Sequence, residues 1–263
     1  MALDTRLFEP IGRRDVEDHV FEMYVEHAPP ESAGLGYLSR MDEVRVAVGD
    51  DEYLVQQSVS AFNSSNRDGT TGFVAWSTSK MVAEWLLQPS NAVFDAMRNS
   101  RVVELGSGVS GLLACSVGQK CSHYVCTDQQ GVMKLLKKNI SRNGGAFESS
   151  TIATKNTSRR RNVPRIDAVP FDWEHSSPEA VLELVQEYPD FIITCDTIYN
   201  PYLIPHLVRA AETLAGPQTG ILVAVQLRES SLLNDFLVHA VDRFRVYRVP
   251  GVEDGYGVYY LEK

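Results

Sequence analysis

No stretch of the 263-residue chain approaches the roughly 18 consecutive apolar residues of a membrane span, so no span is expected. The first 30 residues carry many charges and lack the apolar core of a secretory leader, which points to a cytoplasmic or nuclear protein. Cysteine is scarce. Cys115, Cys121, Cys126 and Cys195 show no C-x-x-C spacing and lie in apolar runs, so they read as free buried thiols, with no metal site and no disulfide framework. Positive charge is scarce too: 25 Lys+Arg stand against 34 Asp+Glu, a formal net charge of −9. That balance argues against direct nucleic-acid binding, whose backbone term grows with the number of cationic contacts, and favours a basic protein as partner. The basic run "SRRRNVPR", Ser158 to Arg165, reads as a solvated loop. There is no internal repeat, and nothing calls for an oligomer, so a monomer is expected.

What is present is a regular alternation. Residues 1 to 42 mix short apolar pieces with proline and glycine and read only as a partly ordered extension. "EVRVAVGDDEYLVQQSVSAF" alternates apolar and polar residues around Gly49-Asp50-Asp51, a hairpin signal. A polar loop from Asn63 to Thr70 follows, then a helix that begins near Thr78 and is closed by Pro89. From Arg101 onward, strand-like runs (VVEL, HYVCTD, AVPFDW, FIITCDTIY, GILVAVQL) alternate with helical segments, which predicts a parallel sheet covered on both faces. The last two runs, FRVYRVP and GVYYLEK, are joined by a loop too short for a crossover helix and must pair antiparallel. The fold class is therefore α/β: a Rossmann-like, doubly wound, seven-stranded sheet ending in an antiparallel hairpin, with an N-terminal β-hairpin extension. Gly144 to Asn162, rich in Ser, Thr and Arg, reads as an insertion.

In such a sheet, ligands sit beyond the carboxyl ends of the strands, so the residues at those ends are the candidates. Gly106, Ser107, Gly108 and Gly111 form a G-x-G-x-x-G turn after the first strand. That turn serves dinucleotides, because glycine lets the backbone approach a pyrophosphate at a helix N-terminus, but it also serves another cofactor. Glu104, two residues before the turn, is expected near the pocket mouth, where an anion repels pyrophosphate and attracts a cation. Asp128 ends the second strand, where an acid binds ribose hydroxyls; Asp172 and Trp173 follow the third; Cys195, Asp196 and Tyr199 lie at the end of the fourth. A carboxylate for an ammonium, a glycine cradle, an acid for ribose and a polar and aromatic pair for adenine together describe S-adenosylmethionine. Each residue also has a plainer reading: turn glycines, a helix cap for Asp128 or Asp196, core packing for Trp173.

The order ELGSG, TDQ, FDW and D-x-x-Y (Asp196 to Tyr199), with the upstream "TTGFVAWSTSKMVAEWLL", resembles the seven-β-strand methyltransferases of family 16, which methylate lysines on other proteins. "TDQQGVMKLLKKNI" and "DTIYNPYLIPHLV" are most similar to the fungal branch acting on ribosomal proteins, so a ribosomal or translation-related substrate is expected. The resemblance covers Thr70 to Leu214 and implies a class I methyltransferase domain over 70–263 after an extension over 1–69. It further implies that Trp76 closes over the cofactor, Asp128 holds its ribose, Trp173 lies near its adenine, and Asp196 with Tyr199 shapes a lysine channel. With no histidine at an expected strand end, no dedicated general base is named. Neutralising a lysine near pH 7.4 costs about 4 kcal/mol, which a desolvating channel or proton loss to water supplies. Two other readings stand beside this one. "NPY" (Asn200 to Tyr202) is similar to the N-P-P-Y motif of base-amine methyltransferases, lacking its second proline; and a binding protein can keep this fold without catalysis.

Overall fold

The computed structural model describes residues 3–29, 36–64, 71–144 and 164–263. Most of the expected insertion and the first six residues of the basic run lie outside the described residues. Five strands form the parallel core: β4 (Arg101–Leu105), β5 (His123–Asp128), β6 (Arg165–Pro170), β7 (Phe191–Cys195) and β8 (Gly220–Gln226). Every residue of β5, β7 and β8 is buried, as expected of apolar runs covered on both faces. Their order is β8-β7-β4-β5-β6, and the reversal of direction falls between β4 and β7. The tail behaves as expected: β9 (Arg245–Arg248) and β10 (Tyr256–Glu262) pair antiparallel, and β10 joins β8 antiparallel with Tyr256 opposite Gln226. β9 therefore runs in the direction of the parallel strands, and the loop carrying Glu253 and Asp254 sits at their carboxyl end.

The sheet has eight strands, one more than expected. The extra one is β1 (Glu9–Ile11), which pairs antiparallel with β9, Pro10 opposite Tyr247. It is followed by α1 (Val16–Glu26), whose buried Val16, Val20 and Met23 pack toward α9 (Ser230–Val241). Residues 9–26 are thus part of the main body, which the reading of 1–42 as an extension without elements missed. On that face also lie α7 (Glu179–Val185) and α8 (Ile204–Leu214); the other face carries α3 (Ser77–Leu86), α4 (Ala92–Met97), α5 (Leu112–Ser116) and α6 (Gln130–Asn143).

The predicted hairpin is present as β2 (Glu43–Val48) and β3 (Asp51–Gln56), followed by the short helix α2 (Val59–Ser64). It is tied to the main body by two side chains of α6. Asn143 accepts from the Leu54 N–H at 2.8 Å. Asn139, fully buried, accepts from the Gln56 N–H at 2.9 Å and donates to the carbonyls of Gln56 and, at 2.7 Å, Val109. Because Val109 belongs to the glycine turn, one asparagine links the hairpin to the mouth of the sheet. Among the described residues no helix is long and apolar enough to cross a membrane, and all four cysteines are buried and unbridged.

Candidate active site

A cleft opens where β4, β5, β6 and β7 end. Its walls include Gly106, Ser107, Gly108, Asp128, Asp172, Trp173, Cys195, Asp196, Tyr199 and Trp76, so ten of the eleven residues expected at the site converge there. The turn after β4 is held to β5 by the Gly106 and Ser107 N–H groups, which both donate to the Thr127 carbonyl. Gly106 has φ +75°, and a Cβ there would lie 2.7 Å from Thr197 Cγ2 and 3.1 Å from the Trp173 ring. Only glycine fits, and the backbone is left bare toward the cleft.

Two carboxyl groups lie at this turn with no salt bridge to either among the described residues. Asp128 accepts from the Gly108 N–H at 2.8 Å and the Gln129 N–H at 2.7 Å. Burial nevertheless pushes its carboxyl up to about 6, against the lowering by those two donors. Glu104 is the one expected residue outside the cleft lining. The residue is 2% exposed, and its carboxyl sits under the turn rather than at the pocket mouth, because β4 is buried on both faces and turns this side chain inward. Burial pushes it up to about 7; the nearby Ser107 and Tyr124 hydroxyls temper the rise and Asp128 adds to it. Neither Glu104 Oε2 nor the Ser107 and Tyr124 hydroxyls completes a well-formed hydrogen bond.

Across the cleft, Asp196 follows β7 with φ +60°, a left-handed conformation that asparagine and aspartate tolerate best among side chains with a Cβ. Its N–H donates to the Ala224 carbonyl of β8. Its carboxylate receives both ends of the Arg228 guanidinium, at 2.7 and 2.5 Å. Arg228 also donates to Gln226 Oε1 at 2.7 Å and lies 5.2 Å from the centre of the Trp76 ring. Trp76 precedes α3, packs edge-on against Tyr37 and Phe62, and donates from Nε1 to the Thr71 carbonyl at 3.2 Å. The Tyr199 phenol bonds to Thr71 as well; burial raises its pKa, and Asp128 adds to the rise. The segment 71–76 is therefore latched over the glycine turn, where the Gly72 carbonyl accepts from the Val109 N–H at 2.8 Å. Asp172 spends Oδ1 on the Glu174 and His175 N–H groups, so it shapes the loop that presents Trp173.

These features fit a ligand with a nucleoside and a cationic tail. The cleft offers a bare glycine cradle, an unpartnered Ser107 hydroxyl on its wall, and two buried carboxyls that gain from a positive charge. Among known proteins, the model of the lysine methyltransferase family matches residues 55–240. The chain belongs to the lysine methyltransferase family. It is 31% identical to ribosomal lysine N-methyltransferase 5 of Zygosaccharomyces rouxii over 77% of this chain and 74% of that protein. It is 30% identical to the Kluyveromyces lactis protein of the same name, over 86% and 91%. A T. thermophilus 16S rRNA methyltransferase, solved with AdoMet and guanosine, superposes with a TM-score of 0.52 at 16% identity, covering 90% of this chain and 52% of that one, and shows the shared fold.

This lysine methyltransferase builds its cleft from more residues than the sequence pointed to. Thr71, Gly72, Val74, Ser79, Ser110, Gln129, Phe171, Thr197 and Leu203 also line it. Thr71 and Gly72 had a signal in the quoted "TTGFVAW" stretch; Arg228 had none. Replacing Asp128 by Ala is expected to weaken cofactor binding by about 1–3 kcal/mol, since it removes a ligand contact and frees the Gly108 N–H. Calorimetric titration of S-adenosylmethionine checks this, and an unchanged Kd would leave Asp128 as a cap of α6.

Proposed function

We propose that this lysine methyltransferase binds S-adenosylmethionine in the cleft and methylates a lysine of a ribosomal protein. The observation that carries the cofactor assignment is the pair of buried carboxyls, Glu104 and Asp128, gathered around a glycine turn with no salt bridge to either among the described residues. The ribosomal substrate is supported by the name of the yeast relatives and by the acidic balance of the chain. Such a substrate is met in the cytoplasm, or in the nucleus before subunit assembly.

When bound, S-adenosylmethionine supplies a methyl group on a positively charged sulfur. The chain's own residues do the rest. Asp128 and the Gly106–Gly108 backbone hold the nucleoside side, Glu104 supplies negative charge under the turn, and Trp173 walls the cleft beside it. Asp196 and Tyr199 face the entering amine from the end of β7 and aim it at the methyl, and this positioning supplies most of the acceleration. Trp76 and the 71–76 segment close one side and exclude water. The amine's proton leaves to water.

Incubating the purified chain with methyl-labelled cofactor and whole ribosomes, RNA included, from cells lacking the enzyme tests the reading. Methyl-lysine in one protein band is expected; label in the RNA instead would favour the base-amine reading, and no label anywhere would sink catalysis.

A pH dependence follows from the same carboxyls. Raised folded-state pKa values mean that their contribution to stability is complete below the ordinary carboxylate range and is lost as pH rises through about 6 and 7. A cationic ligand reverses the preference, because it favours the ionised forms. Cofactor affinity is therefore expected to rise about tenfold or more between pH 5.5 and 8, while the ligand-free protein loses melting temperature over that window. Calorimetry and thermal melts at the two pH values measure both, and a flat Kd would remove the carboxyls from the cofactor site.

A further inference from the structure

Arg228 lies two residues past the end of β8, between the cleft and a second hollow that it shares with Tyr199 and Tyr24 of α1. Its guanidinium takes one lone-pair direction of each Asp196 oxygen, which leaves the other direction of each free to accept an N–H. The pair is buried on the aspartate side, with 3% of the Asp196 side chain exposed against 23% for Arg228. The backbone also closes on it: a Cβ on Gly36 would meet Gln226 Oε1 and the Arg228 guanidinium. Asp196 is thus fixed in orientation by a planar fork, and its charge is matched before any amine arrives.

The chemistry of the amine makes that matching matter. Transfer forms a nitrogen–carbon bond from the amine lone pair, while the sulfur–carbon bond breaks and its electron pair stays on sulfur. An ammonium has no lone pair, so its proton must first pass to water. A lone carboxylate beside the amine would hold that proton on, since an opposite charge at contact distance raises an amine's pKa by about 1–3 units. A carboxylate already matched by an arginine orients the amine by accepting its N–H without favouring the charged form to the same degree.

We propose that Arg228 is a positioning residue that fixes Asp196 and cancels its charge toward the target lysine, so that the amine enters the reaction neutral. The inference rests on the proposed lysine chemistry of this cleft. The other charged and titratable groups around the pair are Glu229, next in sequence; Tyr24 from α1, which feels both Glu229 and Arg228; Cys195 from β7, which feels Glu104 and Asp196; and Tyr199 with Asp128 beyond it. Among the described residues none of these groups is a second cation at Asp196, and the cation in contact with it is Arg228.

The test is the pH profile of kcat, measured with saturating cofactor and ribosomal proteins from cells lacking the enzyme as acceptor. For Arg228→Gln, the acid limb is expected to move up by about 1–2 units, with kcat at pH 7.5 about tenfold or more below wild type, KM not raised, and most of the activity regained by pH 9.5. Arg228→Lys keeps a cation and loses the fork, so its limb should stay near wild type at reduced kcat. The double variant Asp196→Asn/Arg228→Gln, with no charge left to match, should also return the limb toward wild type, and it replaces the single variant if that one does not fold. A uniform loss at every pH in Arg228→Gln, or a limb still raised in the double variant, would overturn the charge-matching role. Failure of the wild-type protein to methylate any ribosomal protein would instead overturn the functional reading, and it shows in the wild type alone.

Discussion

Asp196→Asn is expected to lower turnover by about 100-fold or more at saturating cofactor, the usual consequence of removing one preorganised electrostatic partner. The substitution keeps the shape of the side chain and tolerates the left-handed backbone at φ +60°, so it opens no cavity and adds little strain. It is not a purely local change of charge, because Arg228 loses its counterion. Breaking a buried pair costs about 3–5 kcal/mol, and the lower end applies here because Arg228 keeps part of its side chain in water. A fall of roughly 6–12 °C in Tm should therefore accompany the kinetic loss. Cofactor Kd should stay within about threefold of wild type, since Asp196 stands at the end of β7 across from the Asp128 side of the cleft. Kinetics, calorimetry and a thermal melt on one preparation separate the possibilities. Near-normal turnover would reduce Asp196 to a structural anchor for Arg228; a parallel collapse of cofactor affinity would move it into the cofactor pocket.

Gly106→Ala should abolish measurable cofactor binding and cost about 3 kcal/mol of stability. Two effects add. An L-residue in the left-handed region costs about 1–2 kcal/mol, and the new methyl would press on Thr197 and the Trp173 ring, for which overpacking costs about 1–3 kcal/mol. Gly49→Ala is the matched control: it has φ +59° and nothing within 4 Å of the added carbon, so it should show the backbone cost alone and leave the cleft untouched. Equal Tm losses for the two, or retained cofactor binding in Gly106→Ala, would show that the turn yields without disturbing the site.

The parallel core was legible because VVEL, HYVCTD and FIITC are apolar runs bounded by turn residues, and the final hairpin because its loop leaves no room for a helix. β1 was not, since three residues including a proline carry no periodic signal. The helix after it was legible in principle: Val16, Val20 and Met23 recur at helical spacing, but two acids in the first turn and exposed Phe21 and Val25 blur the stripe. At the site, strand-end logic found the acids and glycines because doubly wound sheets place every strand end on one rim. It could not give the depth of Glu104, because a strand buried on both faces has no alternation to say which way a side chain turns. Nor could it find Arg228, which stands 32 residues from Asp196 and reaches it only because β7 and β8 lie side by side in register.

β9 without β1 would present a bare row of backbone donors and acceptors, the surface on which a second chain adds a strand and aggregation begins. Glu9–Ile11 occupies that row, with Glu9 paired to Arg248 at 2.9 Å. Pro10 has no N–H to offer, so the rim that β1 itself exposes is interrupted at its middle residue. The three residues of β1, none of which lines the cleft, thus act as a guard on that edge. Trimming them is expected to leave the cleft's lining in place and to expose β9 as a template for strand addition.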